Sequence, residues 1–308
     1  MILYEDTALV VVDKPAGLSS EDGVPAALRK LWDRPDAYVG VIHRLDTGVS
    51  GLMVYAKTPQ AAAALSRQVT QSQQVYAEQD GRAEPDAGTP DAPPFVKQYR
   101  ALIAGGPDEK LPAEGVLRDY LFKDSRKGRV FPVSRPRKGV KEAVLEYRIS
   151  ASAPDGSASL ADITLHTGRT HQIRVQFASR RHPLWGDGKY GSRIKGDIAL
   201  QSARLRFIHP DTGKEMDFRL PVPGTWPAWG IRQEKRQWNN SIKQILKIYA
   251  VLEREIIDLT LRPGCSLSEN PLCNRFGAPR SLIRVVLQRL QENGLVKIVP
   301  YKGTPSSW

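Results

Sequence analysis

The chain places an imidazole, a guanidinium and a carboxylate close together at His43, Arg44 and Asp46. Glycines follow, and the apolar run at 53–55 predicts a strand, so these side chains are expected in a turn between two strands. A carboxylate held beside a guanidinium in a cleft stays ionised and can serve as nucleophile or base. The alternative is an Asx turn in which Asp46 accepts only backbone N–H groups, because Asp-Thr-Gly is a common turn composition. The spacing alone leaves both interpretations open.

Two further segments carry candidate side chains. Residues 96–105 alternate as a strand that contains Tyr99, and a strand tyrosine is most often a packing residue. Residues 165–178 open a helix after a Thr-Gly turn and bring His166, His171 and Arg174 into one short segment. The two histidines have no carboxylate or cysteine near them at ligand spacing, so we expect no metal site there.

Basic and aromatic side chains alternate through residues 118–141. A charge run is ordinarily a solvated face, and that interpretation stays open. The other interpretation is a surface that grips phosphates, since such contacts position an RNA without reading its sequence. The residues expected to make these contacts are Lys123, Arg126, Arg137 and Lys138.

The composition favours a nucleic-acid partner. The 308 residues are 41% hydrophobic, and the net charge of +12 with an isoelectric point near 9.7 suits a polyanion better than a membrane surface. The first residues lack a basic region followed by an apolar core, and no apolar run reaches the length of a membrane span. We therefore expect a cytoplasmic protein. Cys265 and Cys273 lack metal-site spacing and are expected as free thiols.

Three motifs occur in a suggestive order. They are His-Arg-Leu-Asp-Thr-Gly at 43–48, Lys-x-Tyr-x-Ala at 97–101, and Leu-x-Thr-Gly-Arg-Thr-His-Gln-Ile-Arg at 165–174. They resemble the motifs of the RluA-type RNA pseudouridine synthases, and Asp-Lys-Pro-Ala-Gly at 13–17 resembles the turn that opens the catalytic domain of that family. The resemblance covers residues 1–230. It implies an α+β fold with a mixed, mainly antiparallel sheet and flanking helices.

The resemblance also implies roles for individual residues. Asp46 is the catalytic residue, Tyr99 stacks on the target base, and Arg174 pairs with Asp46 and holds it ionised. Arg44 fills the space left by a flipped base. Further RNA contacts are expected from His43, Arg169 and His171. The family usually has histidine where Gln176 stands, so one supporting contact is expected to differ. No metal, nucleotide or redox cofactor is implied.

The remaining pattern predicts the elements around these motifs. We expect a buried strand at 9–12, an amphipathic helix at 59–76, a loop at 77–94 whose role is open, and a hairpin turn at 209–213 between strands at 200–220. Prolines and glycines at 221–230 then end a domain. We predict a catalytic domain at 1–230 and a second domain at 231–308.

Residues 231–308 have the pattern of a different class of protein. Helices are predicted at 238–261, 268–276 and 279–293, followed by a two-stranded wing at 295–304. This plan resembles the small winged helix-turn-helix DNA-binding domain of GntR-type regulators and implies duplex DNA as a second partner. The DNA contacts expected from it are Arg280, Ser281, Arg284 and Lys302. Pro271 stands where the family has a capping glutamate, and no effector-binding domain follows the wing, so a working module and a vestige both stay open.

Two hypotheses follow. The first is an RNA pseudouridine synthase that acts as a monomer on ribosomal or transfer RNA, with residues 231–308 as an accessory. The second is a GntR-like DNA-binding transcriptional regulator whose N-terminal part is a non-catalytic scaffold. The combination of Asp46, Tyr99 and Arg174 favours the first, because a scaffold has no need of all three. The motifs do not specify which RNA or which uridine is modified, since that depends on contacts outside them.

Overall fold

The computed structural model describes residues 2–79, 81, 92–227, 245, 247–262, 264–265, 267–292 and 295–296. The chain divides into two compact units, Met1–Ile231 and Arg232–Trp308. Most of the loop expected at 77–94 and most of the wing expected at 295–304, including Lys302, lie outside the described residues. No helix in the described part of the chain is long and apolar enough to cross a membrane.

One twisted sheet forms the centre of the first unit. In the described residues it has 11 strands, in the order β1-β2-β4-β10-β5-β9-β8-β6-β7, with β3 paired to β4 and β11 paired to β10. The strands are β1 Ile2–Glu5, β2 Leu9–Lys14, β3 Gly40–Val41, β4 Ser50–Ala56, β5 Val96–Ala104, β6 Glu114–Asp124, β7 Arg129–Val133, β8 Val140–Ser152, β9 Ala158–Leu165, β10 Leu200–Ile208 and β11 Glu215–Arg219. Strands β4 and β10 pair in parallel, and the other pairings are antiparallel. The mixed, mainly antiparallel sheet predicted from the sequence is therefore confirmed.

The central strands are buried on both faces. Successive side chains of a strand point to opposite sides of a sheet, so the apolar run of β2 divides between two cores. Val10 belongs to one core, whereas Leu9 and Val11 belong to the other. Apolar side chains at consecutive positions, 9–12 in β2 and 52–56 in β4, are buried on both faces of the sheet.

Three helices of the first unit cover these faces. Helices α1 (Gly23–Leu31) and α3 (Gln172–Ser179) contribute apolar side chains to the core that contains Tyr99, and α2 (Pro59–Gln79) packs on the opposite face. The helix predicted at 59–76 is present and continues to Gln79, because Val75 and Tyr76 remain buried in the last turns. The predicted hairpin at 209–213 is also present, since β10 and β11 are antiparallel neighbours.

The second unit is helical in its described residues. Residues 247–257 form helix α4, followed by α5 (Glu269–Phe276) and α6 (Arg280–Glu292). Their apolar faces form a small core that includes Leu252, Leu272 and Ile283. Helix α5 forms despite Pro271, because a proline in the first turn replaces an N–H group that has no helical partner.

Candidate active site

Asp46 lies in the loop between β3 and β4, as the sequence predicts. The backbone N–H of Val49 donates to the carbonyl of Asp46 at 2.9 Å, and this bond closes the turn. The loop after β2 is bound to this turn, because the N–H of Gly17 donates to the carbonyl of Thr47 at 2.7 Å. The Asp46 carboxylate is 28% exposed and hydrogen-bonds with Arg174 rather than with the backbone of its own turn.

Lys14 is a buried cation under this loop, and the sequence analysis had assigned its motif only to a turn. Its side chain is fully buried and its Nζ donates to the carbonyls of Pro15, Leu18 and Thr47 at 2.9, 2.8 and 3.3 Å. Burial lowers the pKa of Lys14, and the charge of Asp46 opposes that change. Lys14 therefore ties the Pro-Ala-Gly turn to the loop that carries Asp46.

Gly51 lets β4 begin directly after the Asp46 loop. Its φ of +119° is a backbone conformation that side chains disfavour, and a Cβ there would collide with the backbone of Ser202 on β10. The parallel contact between β4 and β10 is made at this point. A glycine is required here by both conformation and space.

Arg174 joins two carboxylates from distant parts of the chain. Its Nη1 donates to Asp46 Oδ2 at 2.9 Å, and its Nε and Nη2 donate to the two oxygens of Asp187 at 2.7 and 2.9 Å. The Arg174 side chain is 7% exposed and that of Asp187 is 1% exposed. Burial alone would lower the pKa of Arg174, but the hydrogen bonds that it donates to Asp187 and Asp46 outweigh this effect and raise the pKa. Arg174 therefore stays a cation beside Asp46.

Asp187 is a site residue that none of the sequence motifs predicted. The preceding Gly186 has a φ of +74°, and a Cβ there would overlap the carbonyl of Asp197. This close approach of the Gly186 and Asp197 backbones directs the side chain of Asp187 into the interior. A Gly-Asp pair in a loop after the arginine motif was the available signal, but nothing in the spacing indicated a bidentate partner for Arg174.

Tyr99 lies in β5 on the same face of the sheet as the first core. It is 5% exposed, and it pairs with Ile163 of β9 and Ser202 of β10 in the strand register. Burial raises the pKa of Tyr99, and the negative charge of Asp46 raises it further. The phenol is therefore neutral at physiological pH and lies within the electrostatic reach of Asp46.

The histidines of the third motif have separate surroundings. The ring of His166 stacks on Tyr76 with centroids 4.1 Å apart. His171 instead faces Asp46, with Nε2 lying 3.7 Å from Oδ2. Within the described ranges there is no group of three His, Cys, Asp or Glu side chains that could hold a metal ion.

His43 and Arg44 precede Asp46 in the first motif, and the contacts described for their side chains are with other residues. Arg44 is 63% exposed and pairs with Glu21 at 3.0 Å. His43 is buried, accepts the N–H of Val54 at 3.3 Å and lies edge-on to Phe95. Burial lowers the pKa of His43 to about 3, with a smaller effect of Lys97 in the same direction. His43 thus occupies the core, and we do not retain it as an RNA contact.

Gln176 stands where the resemblance led us to expect a histidine. Its Nε2 donates to Asp119 Oδ2 at 2.8 Å and to the carbonyl of Leu117 at 3.1 Å. Arg180 donates to the same carboxylate at 2.9 Å. The amide therefore ties α3 to β6 away from Asp46, so this departure affects packing rather than the carboxylate site.

The basic residues of 118–141 lie at one edge of the sheet, in β6, β7, the loops beside them and the start of β8. Lys123 and Arg126 are exposed at the β6–β7 hairpin, and Arg137 and Lys138 are exposed before β8. The guanidinium of Arg137 lies over the ring of Phe122 at 5.5 Å. Arg169 is partly buried and its Nε donates to the carbonyl of Glu142 at 2.8 Å, so it also supports β8.

The residues predicted to contact DNA lie on or after α6. Arg280, Ser281 and Arg284 belong to that helix. Arg284 is 64% exposed and its Nε pairs with Glu269 Oε1 of α5 at 2.7 Å.

Two separate parts of the chain match known protein families. Residues 8–179 match the family described as RNA pseudouridylate synthase, and residues 244–305 match the bacterial regulatory proteins of the gntR family. Ribosomal large subunit pseudouridine synthase D of Vibrio cholerae is 31% identical over 247 residues, which is 72% of this chain and 67% of that protein. The protein of the same name from Zymomonas mobilis is 32% identical over 246 residues, covering 72% of this chain and 69% of the relative.

A solved structure agrees with the fold. Human RNA pseudouridylate synthase domain containing 4 superposes with a TM-score of 0.53 at 21% identity, over 72% of this chain and 88% of that chain. The expected fold class is thereby confirmed, and the C-terminal unit carries the gntR domain. The sequence motifs, the family match and the relatives together show that the chain belongs to the RNA pseudouridylate synthase family of isomerases.

Proposed function

We propose that this enzyme converts uridine to pseudouridine in ribosomal or transfer RNA, with Asp46 as the catalytic carboxylate. The N1–C1′ bond of the nucleotide breaks, the uracil turns, and a C5–C1′ bond forms. The proton lost from C5 is balanced by one gained at N1, so the net reaction is an isomerisation without oxidation. Asp46 either attacks C1′ or removes the proton at C2′, and either role requires an ionised carboxylate.

The observation that carries this proposal is the Arg174 contact. A guanidinium held bidentately by the buried Asp187 still offers Nη1 to Asp46 at 2.9 Å. An opposite charge at this distance favours the ionised carboxylate, and the partial exposure of Asp46 leaves it open to a substrate. Arg174 thus prepares Asp46 before any RNA binds.

Tyr99 and Arg44 take complementary roles in the proposed complex. Access to C1′ requires the target nucleotide to leave its helix or loop stack, at a cost that contacts to the extruded base offset. We assign the face of Tyr99 to the flipped uracil and the exposed Arg44 to the space that the base leaves. Arg44 would exchange its surface pair with Glu21 for the RNA, which costs little because exposed pairs contribute only about 0–1 kcal/mol.

The substrate class follows from the relatives and the basic surface. Two relatives are named for the ribosomal large subunit, which favours ribosomal RNA over transfer RNA. The exposed Lys123, Arg126, Arg137 and Lys138 supply phosphate contacts that position either RNA. Because Asp46, Tyr99 and Arg174 all come from one chain, we propose that the enzyme acts as a monomer.

The test is Asp46→Asn, which keeps the shape of the side chain and removes its charge. We expect a folded protein that binds RNA with unchanged affinity and forms no pseudouridine in a single-turnover assay. Asp211→Asn, in the exposed hairpin turn, is the matched control and should retain full activity. Activity of Asp46→Asn within tenfold of the unmodified enzyme would eliminate Asp46 as the catalytic group.

A second function is favoured by the gntR match at 244–305. We propose that residues 231–308 are an accessory nucleic-acid module attached to the synthase, because the described helices form a core of their own. A transcriptional regulator with an inactive scaffold is the competing hypothesis. Sequencing of pseudouridine sites in cells with and without the gene distinguishes them, because a regulator would change transcript levels and leave every modified uridine in place.

A further inference from the structure

Tyr190 connects the β6–β7 hairpin to His171, whose ring faces Asp46. It ends a short 3-10 helix, Gly188–Tyr190, and is 7% exposed. Its hydroxyl oxygen accepts a hydrogen bond from the N–H of Val130, the second residue of β7, at 3.0 Å. The same hydroxyl lies 2.8 Å from Nδ1 of His171. A single phenol oxygen therefore contacts both the β6–β7 hairpin and His171, the residue that faces Asp46.

These contacts favour one tautomer of His171. The Tyr190 oxygen accepts the Val130 N–H, and Nδ1 of His171 lies within hydrogen-bond distance of the same hydroxyl. A phenol that already accepts one hydrogen bond has its own hydrogen available for Nδ1, and this arrangement places the imidazole hydrogen on Nε2. Nε2 is the atom that lies 3.7 Å from Asp46 Oδ2. The N–H dipole thus points at the carboxylate at a separation that a small movement would convert to a hydrogen bond.

Burial, together with two nearby cations, favours the neutral form of the His171 ring. Burial lowers the pKa of His171, the charge of Asp46 opposes this, and Arg174 and Lys189 lower it further while Asp187 raises it. A neutral ring is the form to which the tautomer argument applies.

The backbone at His171 is held in an unfavourable conformation. Its φ of 52° and ψ of 20° are left-handed, at the residue that precedes α3. Residues with a Cβ rarely adopt this conformation unless surrounding contacts fix it. Here it directs the imidazole toward Tyr190 and Asp46 while the next turn of α3 presents Arg174 to the same carboxylate.

Two guanidinium groups also lie over the Tyr190 ring. Arg129 of β7 is 5.2 Å from the ring centroid and Arg174 of α3 is 5.1 Å from it. The hairpin and the arginine that holds Asp46 are therefore packed against the same aromatic side chain.

We propose that His171 and Tyr190 are a pair of positioning residues: Tyr190 fixes the tautomer of His171, and His171 orients Asp46. The inference rests on the proposed function of Asp46. It changes the role of His171 from an RNA contact to a partner of the catalytic carboxylate.

The tautomer is tested directly by nitrogen-15 NMR of histidine-labelled full-length protein, which contains 5 histidines. His171→Asn identifies the signal by its loss. We expect hydrogen on Nε2 in the unmodified enzyme and a mixture of tautomers in Tyr190→Phe, which removes only the hydroxyl and keeps the ring. A wild-type His171 with hydrogen on Nδ1, or a tautomer unchanged in Tyr190→Phe, overturns the proposal.

Kinetics test the consequence. Tyr190→Phe should lower kcat roughly two- to tenfold, as expected for the loss of one hydrogen bond, and leave KM for RNA within twofold. Tyr38→Phe, at an exposed tyrosine, is the matched control and should change neither. Unchanged kcat in Tyr190→Phe contradicts the proposal, and so does a rise in KM alone, which would indicate an RNA contact.

Two substitutions of His171 test whether its side chain must be long enough to contact Asp46 or whether the left-handed backbone alone matters. Asn tolerates a left-handed backbone and places its amide near the Nδ1 position, but is too short to reach Asp46. Gln extends an N–H group to the Nε2 position. We expect His171→Gln to retain more kcat than His171→Asn, and the reverse order overturns the orienting role.

Failure of this inference is distinguishable from failure of the proposed function. If the unmodified enzyme forms pseudouridine and Asp46→Asn abolishes it while Tyr190→Phe is fully active, only the positioning pair is wrong. If Asp46→Asn remains active, the proposed chemistry itself is wrong, whereas the NMR experiment still reports the tautomer.

Discussion

The two units of this chain use arginine in opposite ways. In the catalytic unit Arg174 is 7% exposed and is shared between Asp46 and Asp187. In the C-terminal unit Arg284 is 64% exposed and pairs with Glu269, and Arg275 is 45% exposed and pairs with Glu255. Water screens the latter pairs, so their contribution to stability is small. Burial, rather than the presence of an ion pair, distinguishes the arginine beside Asp46 from the arginines at the surface of the C-terminal unit.

The largest contrast is expected from substituting one arginine in each unit. Arg174→Met leaves Asp187 as a buried charge without its partner, which should cost about 3–5 kcal/mol of unfolding free energy and most of the turnover. Arg284→Met is the matched change in the other unit and should cost less than about 1 kcal/mol. Urea unfolding and single-turnover assays measure both effects. Normal unfolding and a normal rate for Arg174→Met would show that the buried network does not support Asp46.

A second contrast comes from pH. His43 is buried and resists protonation in the folded protein, whereas in the unfolded chain it takes up a proton near its ordinary value of 6.5. Its contribution to stability is therefore complete above pH 6.5 and is lost as the pH falls toward 3. The slope attributable to this one proton is at most about 1.4 kcal/mol per pH unit.

The matched variant is His43→Gln, which keeps an acceptor for the Val54 N–H and does not titrate. Unfolding free energies of the two proteins between pH 7 and pH 4 should converge as the pH falls, because only the unmodified protein loses this contribution. Parallel curves would indicate that His43 is solvated in the folded state.

A smaller effect is expected at the surface of the C-terminal unit. If Arg284 contacts a phosphate, Arg284→Met should weaken duplex-DNA binding. It should also reduce the magnitude of the slope of log K against log salt concentration by about one. The contact with Glu269 must be exchanged for this, so the loss of affinity should be modest. Binding isotherms at several salt concentrations test it, and an unchanged slope would remove Arg284 from the interface.

The smallest effect is expected from removing the second unit. A protein that ends at Gly230 should keep its single-turnover rate and its RNA affinity, because Asp46, Tyr99 and Arg174 all lie upstream. The full-length chain is the control. Loss of activity in a truncated protein that is still folded would show that residues 231–308 take part in catalysis.

Much of the fold was predictable because local sequence patterns specify its strands and helices. Alternating apolar residues indicated β5, the valine run indicated β2, and the helical period indicated α2 to within three residues at its C-terminal end. The loop position of Asp46 also followed from the glycines beside it. Such signals concern residues within one element, where backbone geometry alone fixes which side chains share a face.

The assembly of the site was decided by tertiary structure. Asp46 and Arg174 are 128 positions apart, and their pairing was expected only from a family resemblance. Nothing local indicated that Asp187 would bind Arg174 bidentately, that Lys14 would be buried under the loop that carries Asp46, or that the side chain of His43 would lie in the core and not beside the Asp46 carboxylate. By itself the sequence determined which residue types were available for chemistry, and where the strands and helices carrying them lie. The fold decided which of them are buried together, because burial sets the strength of charge interactions and no local pattern specifies burial between distant segments.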